Sequence, residues 1–346
     1  MADDTTAELQ LQEAVYGLAV PPDFARTRIC FAARGSGLHR SDHGGLTWRP
    51  IFDTLGLDAP LTATSIVVSP GFSTDETLFA GVPGGILRST NGGREWTTAI
   101  LPPPEPFVST LTVSPSFVDD GIIFAGTMED GVFLSNDRGA RWDAWNIGLF
   151  DLNILCLAVS PDFRRDRTLY AGTETGIFCS RNGGRFWHEL PFAMDDAPVL
   201  SLALSPTFQD DGVMFAGTES RGLARSTDRG QSWQWLPELD HPGAVNALLV
   251  GPEFPRQPDV LALLDDALLV SRDGGDSWAD WPASLNFSVA LTSVVAPFGL
   301  GRAQPLLVGL LDGRVLWVRS SSEQPSRCGK QPTDAGRNEP WRTYDE

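Results

Sequence analysis

The residues of this 346-residue chain that could do chemistry are few and poorly placed for it. Its histidines, His39, His43, His188 and His241, have no partner at metal-ligand spacing, and Cys30, Cys156, Cys179 and Cys328 form no CxxC pair. There is no GxxxxGK[ST] loop to cradle a phosphate and no GxSxG elbow to present a nucleophile. Carboxylates remain. Glu129, Asp130, Glu174 and Glu219 are candidates for an acid and base pair in glycoside hydrolysis, which needs two carboxyl groups roughly 5 to 10 Å apart. Glu129, Glu174 and Glu219, however, fall at equivalent places of a repeat, so repetition accounts for them without catalysis. No catalytic residue, metal ligand or cofactor is assigned.

The repeat positions all of these residues. Tryptophans at 48, 96, 142, 187, 233 and 278 are spaced by 48, 46, 45, 46 and 45 residues. A second series, Pro22, Pro70, Pro115, Pro161, Pro206, Pro252 and Pro297, marks seven units. The fullest unit reads ILCLAVSPDF, TLYAGTETG, GIFCSRNGG and RFWHELPF, four short β-rich runs broken by Gly, Pro, Asn and Asp. Four strands per unit predict propeller blades, hence an all-β, seven-bladed β-propeller of four-stranded antiparallel blades. The propeller takes residues 1–319 as one domain, and the polar, aperiodic stretch 320–346 is expected to be a flexible tail. The seventh unit lacks a fourth run, and AELQLQ (7–12) could supply its outer strand.

Five strings, STNGGREW (89–96), SNDRGARW (135–142), SRNGGRFW (180–187), STDRGQSW (226–233) and SRDGGDSW (271–278), share one SxDxGxxW-like pattern. They resemble the Asp box, or BNR repeat, of propellers such as sialidases, the sortilin ectodomain, xyloglucanases and photosystem assembly factors. The resemblance covers about residues 15–319 and implies a turn between the third and fourth strands of each blade. The first copy departs, with His43 where the acid belongs. Turn chemistry explains the motif without a ligand: Asp or Asn accepts backbone N–H bonds, Gly takes positive φ and Trp packs between sheets. A sialidase reading fails on residues. No arginine cluster is readable, TRIC (27–30) is the nearest string to the sialidase FRIP segment, and Tyr170 sits in the slot of Phe79, Phe124 and Phe215.

In the first runs, the fifth residue before each repeat proline is small: Gly17, Ser65, Thr110, Cys156, Ser201, Ala247 and Thr292. Alternation of strand faces predicts that this set lines the axial channel with small, uncharged groups while the larger set packs between blades.

Antiparallel order puts the SPxF and Asp-box turns on one face, the bottom. The second-to-third turns and inter-blade links then form a top rich in acids and apolar residues. Its candidate binding residues are Glu129, Asp130, Phe150, Glu174, Phe192, Asp195, Asp196, Glu219, Asp265, Asp266 and Phe287. Large aromatics in a charged rim suit a protein interface. The expected function is a non-catalytic interaction scaffold for a partner with a basic or mixed surface; the alternative is a glycoside hydrolase or glycan-binding propeller. The net charge of −18 argues against nucleic acid and anionic membranes as partners. With no basic-then-apolar N-terminal segment and no 18-residue apolar run, the chain is expected to be cytoplasmic.

Overall fold

The structure, a computed structural model, describes residues 13–52, 61–102, 105–192, 197–237, 243–281 and 287–319. Seven antiparallel sheets follow one another along the chain, at 15–50, 65–100, 107–144, 154–189, 199–235, 247–280 and 291–318. They are blades 1 to 7 of a β-propeller. Six have four strands in sequential order, as in blade 5 with Val199–Leu204, Met214–Thr218, Leu223–Ser226 and Gln234–Trp235. Blade 7 has three described strands, Leu291–Val295, Leu306–Leu310 and Val315–Val318. Both AELQLQ (7–12), expected as its fourth strand, and the tail at 320–346 lie outside the described residues.

The inner strands meet through a packing device that corrects the expected channel wall. Ser201 is 5% exposed, and its hydroxyl donates to the Val245 carbonyl of the next blade at 2.7 Å. Similar bonds run from Thr64 to Val108, from Ser109 to Ile154, from the Cys156 thiol to Val199 and from Thr292 to Val15. Of the expected channel set, Cys156, Ser201 and Thr292 therefore bond to the neighbouring blade instead of lining the axis. The reason is that the sheets are radial, so both faces of an inner strand look at another blade. Leu200, Leu202 and Leu204, on the alternate face, are half-buried. No described inner strand carries a charged residue.

Glycine on the second strand makes this approach possible. Gly81, Gly126, Gly172, Gly217 and Gly309 pair with Ser65, Thr110, Cys156, Ser201 and Ser293. A Cβ on Gly217 would lie 2.4 Å from Ser201 Oγ and 2.6 Å from Val245 Cγ1. The other four would meet Val108, Ile154, Val199 and Val15 in the same way.

A second lock lies nearer the bottom. At five junctions the turn Phe meets the second-strand aromatic of the preceding blade edge to face: Phe31–Phe72, Phe79–Phe117 and Phe124–Phe163 at 5.6 Å, Tyr170–Phe208 at 5.8 Å and Phe215–Phe254 at 6.0 Å. Such pairs add about 0.5–1.5 kcal/mol each beyond burial. Tyr170 is structural here, as expected. Blades 7 and 1 close differently, since the second strand of blade 7 has no aromatic: the two turn phenylalanines Phe24 and Phe298 meet at 5.7 Å and Trp317 Nε1 donates to the Gly44 carbonyl at 2.7 Å.

The Asp-box turns join third and fourth strands as expected. In blade 3, the buried Ser135 hydroxyl accepts the Gly139 N–H at 2.8 Å and donates to Asp137 at 2.9 Å. Asp137 in turn accepts the N–H groups of Ala140 and Arg141 at 3.0 and 2.9 Å. Blade 1 builds the turn without the acid: Ser41 accepts the Gly45 N–H at 2.8 Å, while His43 pairs with Thr47 at 2.7 Å. The serine, not the acid, is thus the common element. Each box also bonds the SPxF turn of its own blade, as Gly92 N–H does to Glu76 and Gly183 N–H to Arg167. This places both turn sets on the bottom face.

Gly217→Val should lower stability by about 1–3 kcal/mol through overpacking, read as a lower urea midpoint. In the sixth box, hydrogen bonding by the Ser277 hydroxyl leads the causes that hold Asp273 down from 3.8 to about 2, against a smaller opposing effect of burial. A depressed folded pKa means the stabilisation is complete above the unfolded value and fades as pH falls toward the folded one. The stability gap between wild type and Asp273→Ala should therefore be constant from about pH 7 to about pH 5 and roughly halved near pH 3. A gap as wide at the lowest pH would show that the ionised carboxylate is not what the turn uses.

Candidate functional site

The opposite face is assembled from bonds between a second-to-third turn and the link entering the next blade. Gly84 N–H bonds Pro106, Gly131 N–H bonds Leu152, Val245 N–H bonds Thr218 and Leu291 N–H bonds Asp265. The top therefore carries the turns and links that were expected there.

Its most developed region spans blades 3 and 4. The link after Trp145 is pinned from both sides: Asn146 Oδ1 accepts the Val132 N–H and Asn146 Nδ2 donates to the Asp130 carbonyl, both at 2.8 Å. Leu149 is buried at 6% and anchors the loop in the core. Phe150, the next residue, is 85% exposed, the ring being held out on a fixed loop. It borders an open recess of about 560 Å³ with Glu129, Asp151, Leu152, Asn153, Thr175 and Glu189.

Asn153 organises the acids around that recess. Its Oδ1 accepts the Glu129 N–H at 2.9 Å, and its Nδ2 donates to Glu174 Oε2 at 3.1 Å. Glu129 is held at φ 73°, a left-handed conformation uncommon outside glycine. Asp151 accepts the Asn153 N–H at 3.0 Å and both the N–H and hydroxyl of Thr175 at 2.9 Å. Partial burial alone would raise the Asp151 pKa, but these hydrogen bonds outweigh it and hold the carboxyl below its ordinary range. Asp151 is thus a fixed anion that braces the two turns, the opposite of a carboxyl kept neutral to act as a general acid.

The other expected residues are dispersed. Glu219, Asp265 and Asp266 are exposed on blades 5 and 6, Asp265 accepting from Asn246 Nδ2 at 2.6 Å. Phe287 is half-buried against the core between blades 6 and 7. Phe192 is corrected: it is buried, packed at 5.0 Å on Trp233 between blades 4 and 5, because the link after the outer strand tucks it inward. Asp195 and Asp196 lie outside the described residues. Sequence reasoning missed Asn153, Thr175 and Glu189. The available signal for Asn153 was its break with the repeat, since the equivalent link positions hold Phe107 and Pro198. Among the described residues, no cluster of three His, Cys, Asp or Glu could hold a metal, and no helix is long and apolar enough to cross a membrane.

No protein-family model and no curated protein sequence matches the chain. Solved structures do. The GH74 xyloglucanase from Xanthomonas campestris is 20% identical with a TM-score of 0.68, over 91% of this chain and 53% of that one. The chain thus spans about half the length of that enzyme. YCF48 from Cyanidioschyzon merolae is 14% identical with a TM-score of 0.65, over 89% of this chain and 96% of that one. A structure of YCF48 bound to D1 peptide is 17% identical with a TM-score of 0.64, over 90% and 95%. Identities this low carry the fold and not the activity. By its fold this chain is a seven-bladed β-propeller of the kind shared by the GH74 and YCF48 structures.

Proposed function

We propose that the chain is a non-catalytic interaction scaffold that holds a protein segment with basic and apolar side chains on its top face, over blades 3 and 4. The observation that carries this reading is Phe150, fully displayed on a loop pinned by Asn146 and Leu149 beside the Glu129, Asp151 and Glu174 carboxylates. A preorganised aromatic in a charged rim supplies affinity at little ordering cost. The acids add orientation and a faster, salt-sensitive encounter with a basic partner. Asp130, Glu219, Asp265, Asp266 and Phe287 would extend the same face toward the neighbouring blades. That a structure of this fold has been solved with a peptide, YCF48 with D1 peptide, supports the class of partner.

Glycan binding or hydrolysis is the second reading, supported by the likeness to GH74 enzymes and by Glu129 and Glu189 lining one recess. It has less behind it, since these carboxylates are exposed and lack the apolar enclosure that keeps a general acid protonated.

Selection of a random peptide library on the immobilised protein tests the choice. Peptides combining Lys or Arg with apolar residues should be enriched, and their affinity should fall at least tenfold in Phe150→Ala and in Glu174→Lys, and fall with added salt. Enriched peptides that bind both variants as well as wild type would remove the site; binding to a glycan array with no peptide enrichment would replace the reading.

A further inference from the structure

The bottom face is built alike in blades 2 to 5 and differently in blades 6 and 7. In the regular blades the serine before the repeat proline clamps an aspartate of the one-turn helix: Ser69–Asp75 at 2.6 Å, Ser114–Asp120 at 2.7 Å, Ser160–Asp166 at 2.5 Å and Ser205–Asp211 at 2.6 Å. Gly251 and Ala296 stand at that serine position in blades 6 and 7, and Gln257 replaces the aspartate in blade 6. Neither loop forms the one-turn helix. Between them lies a recess of about 410 Å³ lined by Arg256, Gln257, Pro258, Asp259, Arg272, Gly301 and Arg302.

Its charges are unequally committed. Arg272 pairs with Asp259 at 3.0 Å, donates to the Leu300 carbonyl and lies over the Trp281 ring at 5.2 Å, so it ties blade 6 to blade 7. That pairing consumes the carboxylate of the recess. Arg256 and Arg302, one from each loop, are exposed, and among the described residues neither makes an ion pair. The recess therefore keeps two uncommitted guanidinium groups and the Gln257 amide in a chain of net charge −18. These groups form a locally positive hollow on a chain whose charge is otherwise strongly negative.

We propose that this recess binds a phosphate group, its oxygens shared between the guanidinium groups of Arg256 and Arg302. Phosphate is the chemistry of choice because it carries close to two charges near neutral pH and presents several oxygens, so two planar forks can each take a pair. Arg272 acts as a positioning residue, setting the separation of the two loops. The group could arrive as free phosphate or as the ester of a small organic molecule.

The test is a titration of the full chain with inorganic phosphate and, separately, with glycerol phosphate, followed through the backbone amide resonances of Gly301 and Gln257. Saturable shifts confined to these loops are expected, with affinity at least tenfold weaker in Arg256→Glu and in Arg302→Glu, both of which should keep the wild-type urea midpoint because the side chains are exposed. Equal affinities for the two probes would assign the free ion, and tighter binding of glycerol phosphate an organic ester. Shifts that do not saturate, that sodium chloride of equal ionic strength reproduces, or that survive both substitutions would overturn the proposal.

Discussion

The fold depends on how closely one inner strand can approach the second strand of the preceding blade. At five junctions a β-branched residue, Val15, Val108, Ile154, Val199 or Val245, rests against a glycine that leaves no room for a Cβ. The same contact brings a hydroxyl or thiol within reach of the next blade's carbonyl. A larger residue at the glycine would separate the strands and lose both the packing and the hydrogen bond. At the remaining two junctions the inner strand presents Gly17 and Ala247, which have no donor, and Ala33 and Leu263 fill the position opposite. Apolar volume there replaces a polar link.

Rigid closure at the hub has a consequence for the faces. Because the blades are fixed to one another at the inner strands and, at most junctions, through edge-to-face aromatic pairs, the turns can vary without moving the frame. Loops on a rigid scaffold are where binding evolves most readily. The top link of blades 3 and 4 uses that freedom to hold Phe150 outward, and the bottom loops of blades 6 and 7 use it to dispense with the serine–aspartate clamp.

Most of the architecture was legible in the sequence because the repeat encodes it locally. Proline and tryptophan spacings marked the blades, and the small set of Ser, Asp, Gly and Trp specified a turn that the structure builds from their hydrogen bonds. The same reasoning misplaced Ser201 and Cys156 at the axis, since alternation states which residues share a face but not what that face meets. Phe192 was misread for a related reason. A link residue is buried or exposed according to the path of its loop, which composition does not reveal; Phe150 and Phe192 are the same residue type in links of successive blades and have opposite fates.

That contrast bears on where function resides in a repeat protein. A residue that recurs in every unit answers to the geometry all units share, as the box serines do, including Ser41 in the blade that lacks the acid. Glu129, Glu174 and Glu219 recur too, yet only the first two are drawn into one network, because Asn153 occurs in one link alone. Arg302 likewise belongs to a loop that abandons the pattern. Selection for the fold explains the recurring residues; it leaves the departures from the repeat unexplained, and a departure that is also braced by specific hydrogen bonds or ion pairs has a structure maintained for something other than closing the ring.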